Sequence, residues 1–388
     1  MNKFKLEEII KRGEDSRTQF KEIFTSIDAL AAEITAFLNS EGGKILVGVN
    51  DNGHIKGLSQ DEVKQLNQWI SNCCSNKIEP PVTRIYTENI KIDDNIVVLI
   101  DVPQGGNKFY IANNSYIWVK VGADKRRASR EEMKRLLQES GNIYADEMVV
   151  ENTSLDDIDL RLFKRFFKQR TKQEFNQEKH DLKKVLTNLK LMKNGQLTMA
   201  GVVLFAEIPE EILPSFIIKA VQFKGDDPAG KEYLQSQNFY GNLVELYKQG
   251  KNLLYSSLKR EQKGQNFNSV GILEIPEIAL EEALINALLH RDYYLASNIR
   301  LFIFNNRVEI ISPGTLPNTA TVEGIKLGLH VERNPVLVSI VSDMEGIPYR
   351  GIGTGILRIL SECEQAGVEV DFVENKEKEE FKVIFYRS

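Results

Sequence analysis

Cysteine is scarce: the 388 residues hold three, two of them adjacent at Cys73 and Cys74. So few thiols exclude a disulfide framework, and with no paired Cys or His spacing they exclude a zinc centre built on thiolates. Histidine is equally thin, with His54, His180 and His330 isolated from one another. No run approaches the roughly 18 apolar residues that a membrane span requires. The opening Met1-Asn-Lys-Phe-Lys-Leu-Glu-Glu8 also lacks an apolar stretch of signal-peptide length. A cytoplasmic protein with no membrane partner is expected. Nor is there an excess of positive charge: 50 Lys and Arg stand against 55 Asp and Glu, a net −5 that argues against coating of the whole molecule by nucleic acid. No repeat, heptad array or low-complexity tract is visible. What remains is an ordinary globular composition, 42% hydrophobic and 27% charged, long enough for two or three domains.

Charge is uneven locally. Between Arg161 and Lys193 there are eleven Lys or Arg against Glu174, Glu178 and Asp181, a positive excess whose phosphate contacts would be salt-sensitive.

Periodicity divides the chain into three parts. Residues 1–140 read as an α+β domain. It has a short helix ended by Gly13, a polar segment Glu14–Glu22, a buried helix from Ser26 to Leu38, and a strand Lys44–Val49. A turn Asn50–Gly53 leads to a partner strand Ile55–Leu58, followed by a polar helix from Gln60 and further strands near 84–86, 96–102 and 116–121. Ser129-Arg-Glu-Glu132 is a capping box. Residues 141–200 read as an acidic linker, 141–156, followed by two basic amphipathic helices, a turn at Asn194-Gly195 and an apolar run Leu197–Phe205 read as a strand, together a winged-helix-like layer. Residues 201–388 hold strand and helix patterns around the most informative stretch.

That stretch is Glu281-Glu-Ala-Leu-Ile-Asn-Ala-Leu-Leu-His-Arg-Asp-Tyr293. On a helix Glu282 and Asn286 lie four apart on one face, with Ala283, Leu284, Ala287 and Leu288 to pack behind them. A carboxylate beside an amide oxygen suits a general base near a divalent-metal ligand. His290 shares that face and either lines the pocket or caps the helix. Gly351, Gly353 and Gly355 precede a helical pattern from Ile356, and glycines there let backbone N–H groups approach a phosphate.

Glu282 to Tyr293, Ile310-Ile-Ser-Pro-Gly-Thr-Leu-Pro317, Arg333-Asn-Pro335, Gly351 to Gly355 and Glu379 to Phe385 resemble the divergent ATPase C-terminal half of prokaryotic RecG-related, ATP-binding transcriptional regulators. The resemblance implies a gyrase- and histidine-kinase-like ATPase sandwich binding ATP and Mg2+. Glu282 would activate water, and Asn286 would hold the metal. The nucleotide would be bound by Asn286, His290, Gly314, Gly351, Gly353 and Gly355. Ser312 stands where the parent superfamily has an adenine-reading aspartate. Glu14 through Phe20-Lys21, Ala36 to Asn39, Gly42-Gly43, Ile45 to Val49 with Asp51, and Val119 to Gly122 with Arg127 to Glu131 are similar to the Schlafen AlbA-type domain, which binds nucleic acid. That likeness implies a Mn2+ or Mg2+ site at Glu14, Gln19 and Asp51, with Gln19 replacing a glutamate. Lys21, Lys120, Arg126 and Arg127 are candidate nucleic-acid contacts. Both families contain multimers, so a homo-oligomer is expected.

Three functions follow as expectations. One is a regulatory protein in which nucleotide occupancy modulates DNA or RNA binding. The second is a metal-dependent RNA endonuclease acting through Glu14 and Asp51, of a kind used in phage defence. The third is an assembly platform that no longer takes nucleotide.

Overall fold

The computed structural model describes residues 3–92, 95–106, 108–113, 116–139, 144–176, 178–229, 232–262, 271–317 and 320–387. The chain folds as α+β and divides into two units, Met1–Ile143 and Tyr144–Ser388.

In the first unit, α1 (Lys3–Arg12) precedes β1 (Thr18–Lys21), α2 (Ile27–Leu38), β2 (Gly43–Val47) and α3 (Gln60–Asn72). Then come β3 (Tyr86–Ile92), β4 (Asn95–Val102), the hairpin β5 (Trp118–Val121) and β6 (Asp124–Arg127), and α4 (Arg130–Glu139). Four strands form one sheet in the order β1-β2-β4-β3, with β1 parallel to β2 and the other pairs antiparallel. Strand alternation sends Ile45 and Val47 to one face, where Leu30, Ile34 and Phe37 of α2 cover them. Leu46 goes to the other face, with Leu6 and Phe20. Ser26 caps α2, and Ser59 with Glu62 makes a full capping box on α3.

Two local expectations change. The polar segment 14–22 contains β1, because pairing with β2 satisfies its backbone although Phe20 is its one strongly apolar side chain. The expected partner strand 55–58 makes only isolated bridges, Val49 to Ile55 and Leu58 to Ile96, because β4 occupies the antiparallel edge of β2 along its whole length.

The second unit opens with α5 (Leu160–Thr171), α6 (Leu182–Asn188), a two-stranded turn around Asn194-Gly195, and α7 (Met199–Phe205). The run 197–205 was expected as strand. Thr198 instead accepts from the Gly201 N–H and starts a helix buried on all sides, a case in which an apolar run has no period to tell strand from helix. β7 (Ile218–Phe223), β8 (Tyr233–Phe239), α8 (Leu243–Ser257) and α9 (Glu277–His290) follow, then β9 (Ile299–Ile303) and β10 (Arg307–Pro313). α10 (Pro335–Val341), α11 (Gly355–Ala366), β11 (Val370–Asn375) and β12 (Glu380–Tyr386) end the unit. Six strands lie in the order β8-β7-β9-β10-β12-β11, with β7 parallel to β9 and the remaining pairs antiparallel. Leu253 of α8, Leu284 of α9 and Ile359 of α11 share one core with Ala220, Leu301, Ile310 and Val383 of the sheet. The alternate positions of β10 and β12 carry an ion ladder in which Arg307 donates to Glu309 at 2.7 Å and Lys382 stands beside both Glu309 and Glu380.

The acidic segment read as a linker is partly structural; residues 141–143 lie outside the described ones. Asp146 is fully buried and accepts from the N–H groups of Val336 and Leu337 at 2.7 and 3.0 Å, closing the start of α10. Burial pushes its carboxyl up to about 6. Among the described residues no helix is long and apolar enough to cross a membrane.

Candidate nucleotide and nucleic-acid sites

The sequence-predicted residues of the second unit meet in one hollow. α9 supplies Glu282, Asn286 and His290 as one wall, β10 and β12 supply a floor of Ile310, Ser312 and Val383, and the loop into α11 supplies Gly351, Gly353 and Gly355 opposite. The open space is about 130 Å³, well above the roughly 10–15 Å³ that one water needs. Side chains do not fill it.

Each wall is held by specific bonds. Leu280, Ala283, Leu284 and Leu288 of α9 are buried, which fixes the rotation of the helix and aims Glu282 and Asn286 into the hollow. Glu282 is 7% exposed, and its Oε2 accepts from Arg358 at 2.9 Å. Burial raises its carboxyl above the usual range while the Arg358 guanidinium opposes that shift. Asn286 makes no side-chain hydrogen bond among the described residues. A Cβ on Gly355 would lie 2.3 Å from Glu282 Oε1 and 3.1 Å from Asn286 Nδ2, so a side chain here would displace the Glu282 carboxylate. Gly353 adopts φ +76 in the same loop, its α-carbon against the His330 ring.

Thr354 precedes α11 without a side-chain cap, which leaves the first N–H groups of a 12-residue helix with no side-chain acceptor at the rim of the hollow. His290 faces His330 edge-on at 5.9 Å, and burial holds it down to about 4, a neutral imidazole at ordinary pH. The Ser312 hydroxyl donates to the Ala287 carbonyl at 3.0 Å.

The Arg333-Asn-Pro335 motif is scaffolding. Asn334 is fully buried and donates to the carbonyls of Leu289 and Arg291 at 2.8 and 3.0 Å, while Arg333 donates to Thr315 at 2.6 Å. Gly314, at φ +99, leaves room for that guanidinium, 2.5 Å from where a Cβ would stand. Arg358 was missed from the sequence, although its signal was available: it lies three residues after Gly355 on the same helical face.

In the first unit the expected residues separate. Asp51 sits exposed in the Asn50–Gly53 turn, and among the described residues no three His, Cys, Asp or Glu side chains gather as metal ligands. Glu14 accepts from the Phe20 N–H at 2.6 Å and from the Gln19 amide. Lys120 was expected on a nucleic-acid surface. Its side chain is instead 1% exposed, because Gln19 and Glu33 draw the ammonium inward. Arg126 is exposed but held bidentately by Glu132 at 2.8 and 2.7 Å. Arg127 is exposed with its guanidinium 3.7 Å over the Tyr116 ring, and Lys21 is half-buried at the end of β1.

Two family models match. Residues 14–129 match the family described as Schlafen, AlbA_2, and residues 296–385 match the one described as putative ATP-dependent DNA helicase recG C-terminal. The chain carries a Schlafen AlbA_2 domain followed by a RecG-related C-terminal domain. This pairing suggests a nucleic-acid-associated, ATP-binding protein and makes ATP with Mg2+ plausible in the RecG-related domain. No curated protein matches the chain. It is similar in structure to the DIP2311 protein of Corynebacterium diphtheriae, at 18% identity and TM-score 0.47, covering 99% of this chain and 80% of that one. It is also similar to the N-terminal domain of a putative ATP-dependent DNA helicase RecG-related protein of Nitrosomonas europaea, at 17% identity and TM-score 0.25, covering 33% of this chain and 90% of that one.

Proposed function

We propose that the protein is a nucleic-acid-binding regulator in which ATP and Mg2+ occupy the hollow between α9 and α11 and thereby modulate binding to DNA or RNA. The observation that carries this reading is the uncapped N-terminus of α11, reached through Gly351, Gly353 and Gly355, standing across from Glu282 and Asn286. Unpaired N–H groups at a helix start favour phosphate oxygens. The Asn286 carbonyl oxygen is the free hard donor that Mg2+ takes. When bound, Mg2+ would screen the phosphate charge. Glu282 is the group that takes a proton from water: burial raises its proton affinity, and Arg358, bonded to its other oxygen, opposes that shift. His290 stays neutral and offers one donor and one acceptor to the same space. The Ser312 hydroxyl is spent as a donor on Ala287, so it faces the hollow as an acceptor.

Polynucleotide contacts fall to Arg127, Arg126 and Lys21, in a unit whose family model is the Schlafen one. Arg127, pre-set over Tyr116, makes the strongest candidate. We read the protein as a cytoplasmic homo-oligomer, for which the exposed Leu327 and Ile352 offer apolar surface.

Calorimetry with ATP and Mg2+ on wild type, Asn286→Ala and Glu282→Gln tests the nucleotide reading. The expected result is Mg2+-dependent binding that Asn286→Ala weakens, with Glu282→Gln binding but not hydrolysing. Wild type that binds no nucleotide refutes it and leaves the assembly-platform alternative. Oligonucleotide binding with and without ATP tests the coupling, and equal affinities would refute modulation.

A further inference from the structure

The Schlafen-type resemblance implies a divalent metal near Glu14 and Gln19, and the residues around that point do not fit one. Lys120, on β5, brings its ammonium there. It donates to Gln19 Oε1 at 2.6 Å and to the Ala123 carbonyl at 2.5 Å, and stands 3.5 Å from Glu33 Oε1. Two of the three N–H donors of the ammonium are spent in hydrogen bonds, and Glu33 Oε1 is an ion-pair neighbour beyond them. The Phe37 ring closes the remaining side, its centroid 4.9 Å from the nitrogen.

Gln19 completes the arrangement. Its amide nitrogen donates to Glu14 and its amide oxygen accepts from Lys120, so both ends of the side chain are satisfied. A glutamate in its place would set a carboxylate against Glu14 and require a cation to hold the two together. The amide supplies a donor instead, and the charge balance closes without a metal. Glu33, 1% exposed on α2, is neutralised from the same hairpin by Lys125 at 2.5 Å and by Lys120. Its Oε1 has no hydrogen bond among the described residues and faces the Lys120 ammonium.

We infer that Lys120 is a built-in cation occupying the metal position of the Schlafen AlbA_2 domain, so that this domain takes no divalent ion at Glu14 and does not use one to cut RNA. The same ammonium clamps the β5–β6 hairpin, and with it Arg126 and Arg127, onto α2 and β1. The inference rests on the first unit alone and stands or falls independently of nucleotide binding in the second.

The test is a Mn2+ titration of the full chain by calorimetry, with electron paramagnetic resonance of free Mn2+ as a second readout. Three proteins are compared: wild type, Glu14→Gln, and the double variant Gln19→Glu with Lys120→Met. The expected result is no difference between wild type and Glu14→Gln, and one additional saturable Mn2+ site per chain in the double variant, accompanied by a Mn2+-dependent rise in Tm. A wild-type Mn2+ site that Glu14→Gln abolishes overturns the inference. So does a double variant with native circular dichroism that gains no site, since the lysine would then not be what excludes the ion. Should the double variant not fold, the comparison of wild type with Glu14→Gln still decides.

Discussion

Gly355→Ala separates a glycine needed for packing at the site from one that merely begins a helix. The residue is the first of α11 and its φ lies outside the left-handed region, so alanine meets no backbone penalty. If only helix propensity mattered, the substitution would stabilise the second unit by about 0.5–1 kcal/mol. The added Cβ, however, would stand 2.3 Å from Glu282 Oε1 and 3.0 Å from its Cδ. Relieving that contact moves the Glu282 carboxylate, whose other oxygen holds the 2.9 Å bond to Arg358. Overpacking of this kind costs about 1–3 kcal/mol, so the net change runs from none to about 2.5 kcal/mol of destabilisation. With ~2–4 °C per kcal/mol for a unit of this size, Tm should be unchanged or fall by up to ~10 °C. Differential scanning fluorimetry reads this directly and, repeated with saturating ATP and Mg2+, reads the site. A ligand at a hundred times its Kd stabilises by about 2.7 kcal/mol, and that shift should be largely lost in the variant. A higher Tm with the nucleotide shift retained would refute the packing argument.

Other substitutions test separate parts of the reasoning. Burial raises Asp146 to about 6 from the ordinary 3.8. Its contribution to stability is therefore complete below about pH 4 and is lost as pH rises through 6, a difference of roughly 3 kcal/mol. His290, lowered to about 4, runs the opposite way: its contribution is present above the usual 6.5 and lost as pH falls through 4. Urea unfolding of Asp146→Asn against wild type at pH 4.5 and 7.5 isolates the first effect, and the variant should gain relative stability at the higher pH. A relative loss there would mean that the bonds to Val336 and Leu337 outweigh burial. Asn334→Ala leaves the Leu289 and Arg291 carbonyls without their buried donor and should cost about 1–3 kcal/mol per unsatisfied group in unfolding experiments. Arg127→Ala should weaken polynucleotide binding evenly across sequences and reduce the salt slope by about one, measured by fluorescence anisotropy at several salt concentrations. An unchanged slope would remove Arg127 from the interface.

Residue order alone determined a good deal about this chain. The helical spacing of Glu282, Asn286 and His290 and the glycines at 351, 353 and 355 were legible because a 3.6-residue period and a glycine requirement are local facts. So was the capping box at Ser129. The strand at Thr18–Lys21 and the helix at Met199–Phe205 were not, since the first is stabilised by pairing with β2 and the second by burial on every side, neither of which leaves a period in the sequence. Tertiary structure decided the chemistry of both sites. It joined Arg358 to Glu282, which opposes the effect of burial on the carboxylate, and it carried Lys120 from residue 120 to Gln19 and Glu33, turning an apparent surface lysine into an internal counter-ion. Charge sign is written in the chain, but which charge neutralises which depends on distances that exist only after folding.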